Sequence, residues 1–105
     1  MDKIPVEISE IINEFIHKLE QNNVHIQQAV LFGSYSKGLE HEWSDIDIVL
    51  VSDAFEGVRF EDRKKIGDIT LSVSTDLSPL PFRPEDFTPE DPFVKEILST
   101  GVRIV

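Results

Sequence analysis

The 105-residue chain reads as an α/β or α+β domain, a mixed β-sheet with helices packed mainly on one side. Three observations predict this class. Apolar residues at helical spacing occupy the first twenty positions. A compact apolar run, "DIDIVLVS", lies in the middle. Apolar and polar residues alternate over 68–78. Helical and strand patterns interleaved in this way give a sheet with helical cover.

Ile8, Ile11, Ile12, Phe15 and Leu19 recur at steps of three and four, which predicts a helix over 5–22. Pro5 suits a first turn, where its missing N–H is no loss, and Asn22-Asn23 supplies a stop. "IQQAVLF", residues 26–32, is a predicted strand ending at Gly33. Residues 34–39 are expected to form a short helical turn with Ser34 as its N-cap. Residues 45–52 are β-branched and mostly apolar, the pattern of a central strand covered on both faces.

A loop over 53–58 and a short helix, "RFEDRKKI", come next. In "DITLSVSTDLS", residues 68–78, Ile69, Leu71, Val73 and Leu77 fall on one side of an extended chain. Asp68, Thr70, Ser72, Ser74, Asp76 and Ser78 fall on the other, so a half-buried strand is predicted. Prolines at 79, 81, 84, 89 and 92 exclude a helix or a central strand, leaving an extended surface connection. "PFVKEILS", residues 92–99, is a last helix with Gly101 just past its end, and "VRIV" a closing strand.

Length and composition predict one globular domain over residues 1–105. The formal charge of −10 repels a nucleic-acid backbone, whose binding depends on Lys and Arg neutralising phosphates. No nucleic-acid partner is expected, while a basic protein surface remains compatible. The absence of cysteine excludes a disulfide scaffold and thiolate chemistry. No apolar run approaches the roughly 20 residues of a membrane span, and the N-terminus lacks a secretory pattern. The expectation is a cytoplasmic protein with no membrane association, free to self-associate as a homo-oligomer. His17, His25 and His41 are too scattered for a zinc site, and Trp43 is expected to pack on the core rim.

The chemistry concentrates in "VLFGSYSKGLEHEWSDIDIVLVS", residues 30–52. Strand residues i and i+2 share a side, so Asp45 and Asp47 project together, roughly 6–7 Å apart. Two carboxylates that close repel unless one is protonated or a cation joins them. Mg²⁺ takes one or two carboxylates together with substrate phosphates. Gly33 lets backbone approach a ligand closely. A helical turn starting at Ser34 would aim free N–H groups at an anion, and Lys37 could add a point charge. Phosphate donors beside metal-binding carboxylates suit a nucleoside triphosphate. In-line attack on its α-phosphate is the corresponding reaction, with two ions about 3.5–4 Å apart clamping the attacking and leaving oxygens.

Gly33-Ser34, a ten-residue gap from Tyr35 to Ser44, and Asp45-x-Asp47 at the head of a strand together resemble the signature of the nucleotidyltransferase fold shared with the DNA polymerase beta superfamily. The resemblance is densest over 29–52 and extends through "PLPFRPEDF" and "EILSTGVRIV". It points to the small, stand-alone members, the minimal nucleotidyltransferase (MNT) proteins.

That resemblance implies a function and a site. Minimal members resemble the antitoxin half of toxin–antitoxin modules whose other half is a helical HEPN-type protein. The implied reaction moves AMP from ATP onto a hydroxyl of that partner, with Mg²⁺, as two ions, for cofactor. The implied roles are Gly33, Ser34 and Lys37 for nucleotide phosphate, and Asp45 and Asp47 for metal and catalysis. The family uses a third carboxylate on a following strand. Related tails carry an acid directly before Pro-x-Pro, where this chain has Ser78. Asp76, two residues earlier, is the chosen third ligand and possible base; Asp68 is the alternative. A non-catalytic, partner-binding subunit with the same fold is the rival expectation. Transfer to a small molecule ranks lower, because those relatives carry extra helical domains.

Overall fold

A computed structural model describes residues 4–33 and 45–105. The elements run α1 (Val6–Gln21), β1 (Gln28–Phe32), β2 (Ile46–Val51), α2 (Arg59–Val73), β3 (Leu77–Phe82), a 3₁₀ turn (Pro84–Asp86), α3 (Pro92–Thr100) and β4 (Val102–Arg103). The sheet order is β3-β2-β1-β4. β1 runs antiparallel to both β2 and β4. β2 and β3 are parallel and joined across α2, as parallel neighbours require a crossover.

The expected helix over 5–22 is α1, with Ile12, Phe15 and Leu19 fully buried. The expected central strand is β2, flanked on both edges and buried at five of its six positions. Alternation divides its side chains between two cores. Ile46, Ile48 and Leu50 pack with Ala29, Leu31 and Leu77 beneath α1 and α2, against Phe15, Leu19 and Ile66. Val49 and Val51 face the other way, with Val30, Phe82, Phe87, Val94 and Ile97. The two long helices therefore cover one face, and the shorter α3 covers part of the second.

The region 59–82 departs from the expectation. Residues 68–73 are not a strand but the second half of α2, which runs on from Arg59 to Val73. The alternation of Ile69, Leu71 and Val73 hid a helical spacing. Ile66 and Thr70 are buried, Ile69 and Val73 pack against the same core, and Leu71 is 66% exposed. The Thr70 hydroxyl donates to the Ile66 carbonyl (2.9 Å), which satisfies a polar group buried on the core side of the helix. Asp68 thus sits on an exposed helix surface, on a different element from Asp76.

The proline-rich connection is likewise not a surface coil at its start. Leu77–Phe82 forms β3, at the sheet edge. Ile46 N–H donates to Asp76 O (2.8 Å) and Ser52 N–H to Phe82 O (3.1 Å). Even-numbered residues of β3 therefore bond towards β2, and Pro79 and Pro81 present their donorless nitrogens to the open side. Proline is confined to such positions in a sheet.

The loop before α2 is held by one buried acid. Asp62, 1% exposed, accepts from Glu56 N–H (2.8 Å) and Gly57 N–H (2.9 Å). Lys65 Nζ donates to Ala54 O (2.7 Å). Asp91 caps α3 by accepting from Phe93 N–H (2.9 Å), with Pro92 in the first turn. Among the described residues no helix is long and apolar enough to cross a membrane.

Candidate active site

β1 ends and β2 begins at the same end of the sheet, because the strands are antiparallel neighbours. Phe32 pairs with Asp47 in the register. Gly33 follows with φ +73°, the left-handed region that glycine enters without steric cost. A Cβ built on Gly33 would run into Oδ2 of Asp47, with Cγ only 3.3 Å away. The bare backbone at 33 and the Asp47 carboxylate thus lie against each other. Any L-residue other than glycine would be strained in backbone and would displace the carboxylate.

Asp47 shares its side of β2 with Val49 and Val51, the face that α3 covers in part. The strand carries it to the margin of the second core, where it is half-buried, while Asp45 is exposed. Burial pushes the Asp47 carboxyl above its ordinary value, and the neighbouring Asp45 charge adds to the rise. Burial is the larger cause, since a carboxylate loses hydration there. Two acids on one strand end, one of them desolvated and repelled by the other, form a site that gains from a cation.

The donor set suits Mg²⁺, which takes hard oxygen ligands from one or two carboxylates and fills the rest with phosphate or water. Among the described residues no three Asp, Glu, His or Cys side chains converge closely enough to hold one ion. Asp76 lies just before β3, and its carbonyl accepts from Ile46 N–H. Extending the parallel register by one step sets Asp76 beside Asp45, while Ser78 pairs directly with Asp47. Asp76 is exposed and Ser78 half-buried. Ser34, Lys37 and the expected turn over 34–39 lie outside the described residues, as do His41 and Trp43.

One wall of the site was missing from the sequence expectation. Phe32 and Phe93 meet edge to face, with ring centroids 6.1 Å apart and planes at 89°. They line a pocket of about 150 Å³ with Gly33, Glu96, Ile97 and Thr100. Phe93 and Glu96 belong to α3, which reads as plain amphipathic helix. What marks Phe93 out is its partial exposure, 43% of the residue, together with its edge-to-face contact with Phe32, and neither is a sequence property.

The nucleotidyltransferase domain family profile matches residues 9–104. A protein adenylyltransferase candidate of Methanocaldococcus jannaschii, MJ1305, is 29% identical over 105 aligned residues, spanning 93% of this chain and 71% of the relative. The protein adenylyltransferase MntA of Shewanella oneidensis is 40% identical over 67 residues, 62% of this chain and 48% of that protein. A toxin–antitoxin crystal structure with AMP-PNP superposes with a TM-score of 0.57 at 26% identity, covering 90% of this chain and 70% of the other. With the profile spanning nearly its whole length, this chain belongs to the nucleotidyltransferase domain family.

Proposed function

We propose that the protein transfers AMP from ATP to a hydroxyl of a protein acceptor, and that the acceptor is its toxin partner, of HEPN type. One observation carries the reading: the Asp47 carboxylate rests against the Gly33 backbone, with a second carboxylate, Asp45, on the same strand end. The names of MJ1305 and MntA support transfer to protein. The AMP-PNP-containing toxin–antitoxin relative supports the nucleotide and the setting.

Asp45 and Asp47 would hold Mg²⁺, which when bound neutralises phosphate charge and polarises the α-phosphoryl group. The Gly33 backbone, with Ser34 and Lys37, would cradle the phosphates. The acceptor oxygen bonds to the α-phosphorus as the bond to the bridging oxygen breaks, and pyrophosphate leaves. Asp76 is the proposed third carboxylate, receiving the acceptor proton. Its support is that it neighbours Asp45 in the extended register.

The test is incubation with ATP labelled at the α-phosphate, Mg²⁺ and the partner protein. Label is expected on the partner, and its loss in Asp45→Asn. A second reading, a non-catalytic partner-binding subunit, is favoured by the lack of a converged third carboxylate among the described residues. Tight partner binding without label transfer would select it.

A further inference from the structure

Resting on that reading, we propose that the pocket formed by Phe32, Phe93, Glu96 and Thr100 receives the nucleobase and selects for an exocyclic amine, hence adenine. Its position is the first argument. Gly33 lines the pocket on one side and touches the Asp47 carboxylate on the other. A nucleotide whose phosphates lie at Gly33 and Asp47 can reach the pocket with its other end. Size is the second. At about 150 Å³ the pocket is too small for a whole drug-sized ligand, which needs about 300–1,000 Å³, and suits one planar ring system.

The lining chemistry is the third argument. Phe93 is 43% exposed as a residue although a partner ring holds its side chain edge to face, so a base can pack against it. Stacking on an aromatic side chain is tolerant of base identity, so selection must come from the polar wall. That wall offers acceptors. No described residue donates to the Glu96 carboxylate. The Thr100 hydroxyl spends its proton on the Glu96 carbonyl (2.8 Å), leaving lone pairs. Phe93 N–H is already given to Asp91 (2.9 Å). A base edge that donates through an amine matches this wall. An edge with a carbonyl in that place sets oxygen against carboxylate.

ATP and ITP differ at that group, an amine in one and a carbonyl in the other, so they are the probes. Binding of each, with Mg²⁺, is measured by calorimetry on the full chain without acceptor. The expected result is ATP tighter than ITP by roughly tenfold or more, the size of one charge-assisted bond set against an unpaired group. Glu96→Gln, which can donate or accept, should bring the ratio to within about threefold. Phe93→Ala should weaken both nucleotides by about tenfold and leave the ratio alone. Equal binding of ATP and ITP by the unsubstituted protein overturns the proposal. So does an unchanged ratio in Glu96→Gln, or substitutions that raise only the KM for the protein acceptor. Binding is read without transfer, so an inactive but adenine-selective protein would defeat the functional reading alone. An active, unselective one would defeat this inference alone.

Discussion

The two ends of the central sheet use the same local device to opposite ends. At one, Gly33 turns with φ +73° against the carboxylate of Asp47; at the other, Gly57 turns with φ +89° against the guanidinium of Arg83. In both places a missing Cβ makes room for a charge. Arg83 is then fully engaged, donating to both oxygens of Asp86 (2.7 and 2.9 Å). Beside it, Asp62 accepts from two backbone N–H groups. Among the described residues nothing donates to Asp47 to compensate its burial, and Asp45 repels it. The Arg83 end is electrostatically balanced; the Asp47 end, among the described residues, is not. Uncompensated burial of a carboxylate, rather than acidity as such, is what distinguishes the Asp47 end.

Substitutions at the two ends should separate these roles. The largest effect is expected for Asp47→Asn, with labelled adenylyl transfer falling on the order of 10³-fold. The same change should raise the thermal midpoint of the metal-free protein, because it removes a desolvated, repelled charge. Melting curves in chelator check the second half, and a lowered midpoint would contradict the contrast. Next is Asp62→Ala at the opposite end. It strands two N–H groups and should cost about 2–4 kcal/mol in urea unfolding, with nucleotide affinity per folded molecule unchanged.

Smaller effects should come from the glycines. Gly33→Ala and Gly57→Ala are each expected to cost about 1–2 kcal/mol through the left-handed backbone alone. Only the former should also weaken nucleotide binding, which calorimetry on the pair reads directly. The smallest signal is the pH dependence, and its two halves have opposite sign. The Asp47 carboxyl is raised by burial and by Asp45, so its cost is present above that raised value and fades as pH falls towards the ordinary aspartate range. The stability advantage of Asp47→Asn should fade with it. Hydrogen bonding from Arg83 holds Asp86 below its ordinary value. Its contribution persists into more acid solution and is lost as pH falls through that lowered value. The deficit of Asp86→Asn should therefore vanish at lower pH than the advantage of Asp47→Asn.

How far the sequence could be read follows from which signals are local. β2 was legible because five buried residues in six leave no competing pattern. The pairing of Gly33 with Asp47 was legible in part, since each residue type is unusual at its place. Their contact depends on the register of β1 against β2, which sequence does not state. The stretch 59–82 was misread for a specific reason. In "DITLSV" the apolar residues at 69, 71 and 73 fit period two, while 66, 69, 70 and 73 fit the helix. Only packing against α1 and β3 decides between them. β3 was hidden because two prolines in six residues argue against any strand whose neighbours on both edges are unknown. The aromatic pocket was invisible: Phe32 and Phe93 are sixty-one positions apart and meet only in three dimensions.

Pro79 and Pro81, with their nitrogens turned outward from β3, have one more consequence. A strand from another molecule docking on that rim would find two of its carbonyls without a hydrogen to bind. Growth of the sheet into a fibre or a strand-exchanged pair is therefore disfavoured on this flank. At this edge, recognition by another protein is favoured through side chains over backbone addition.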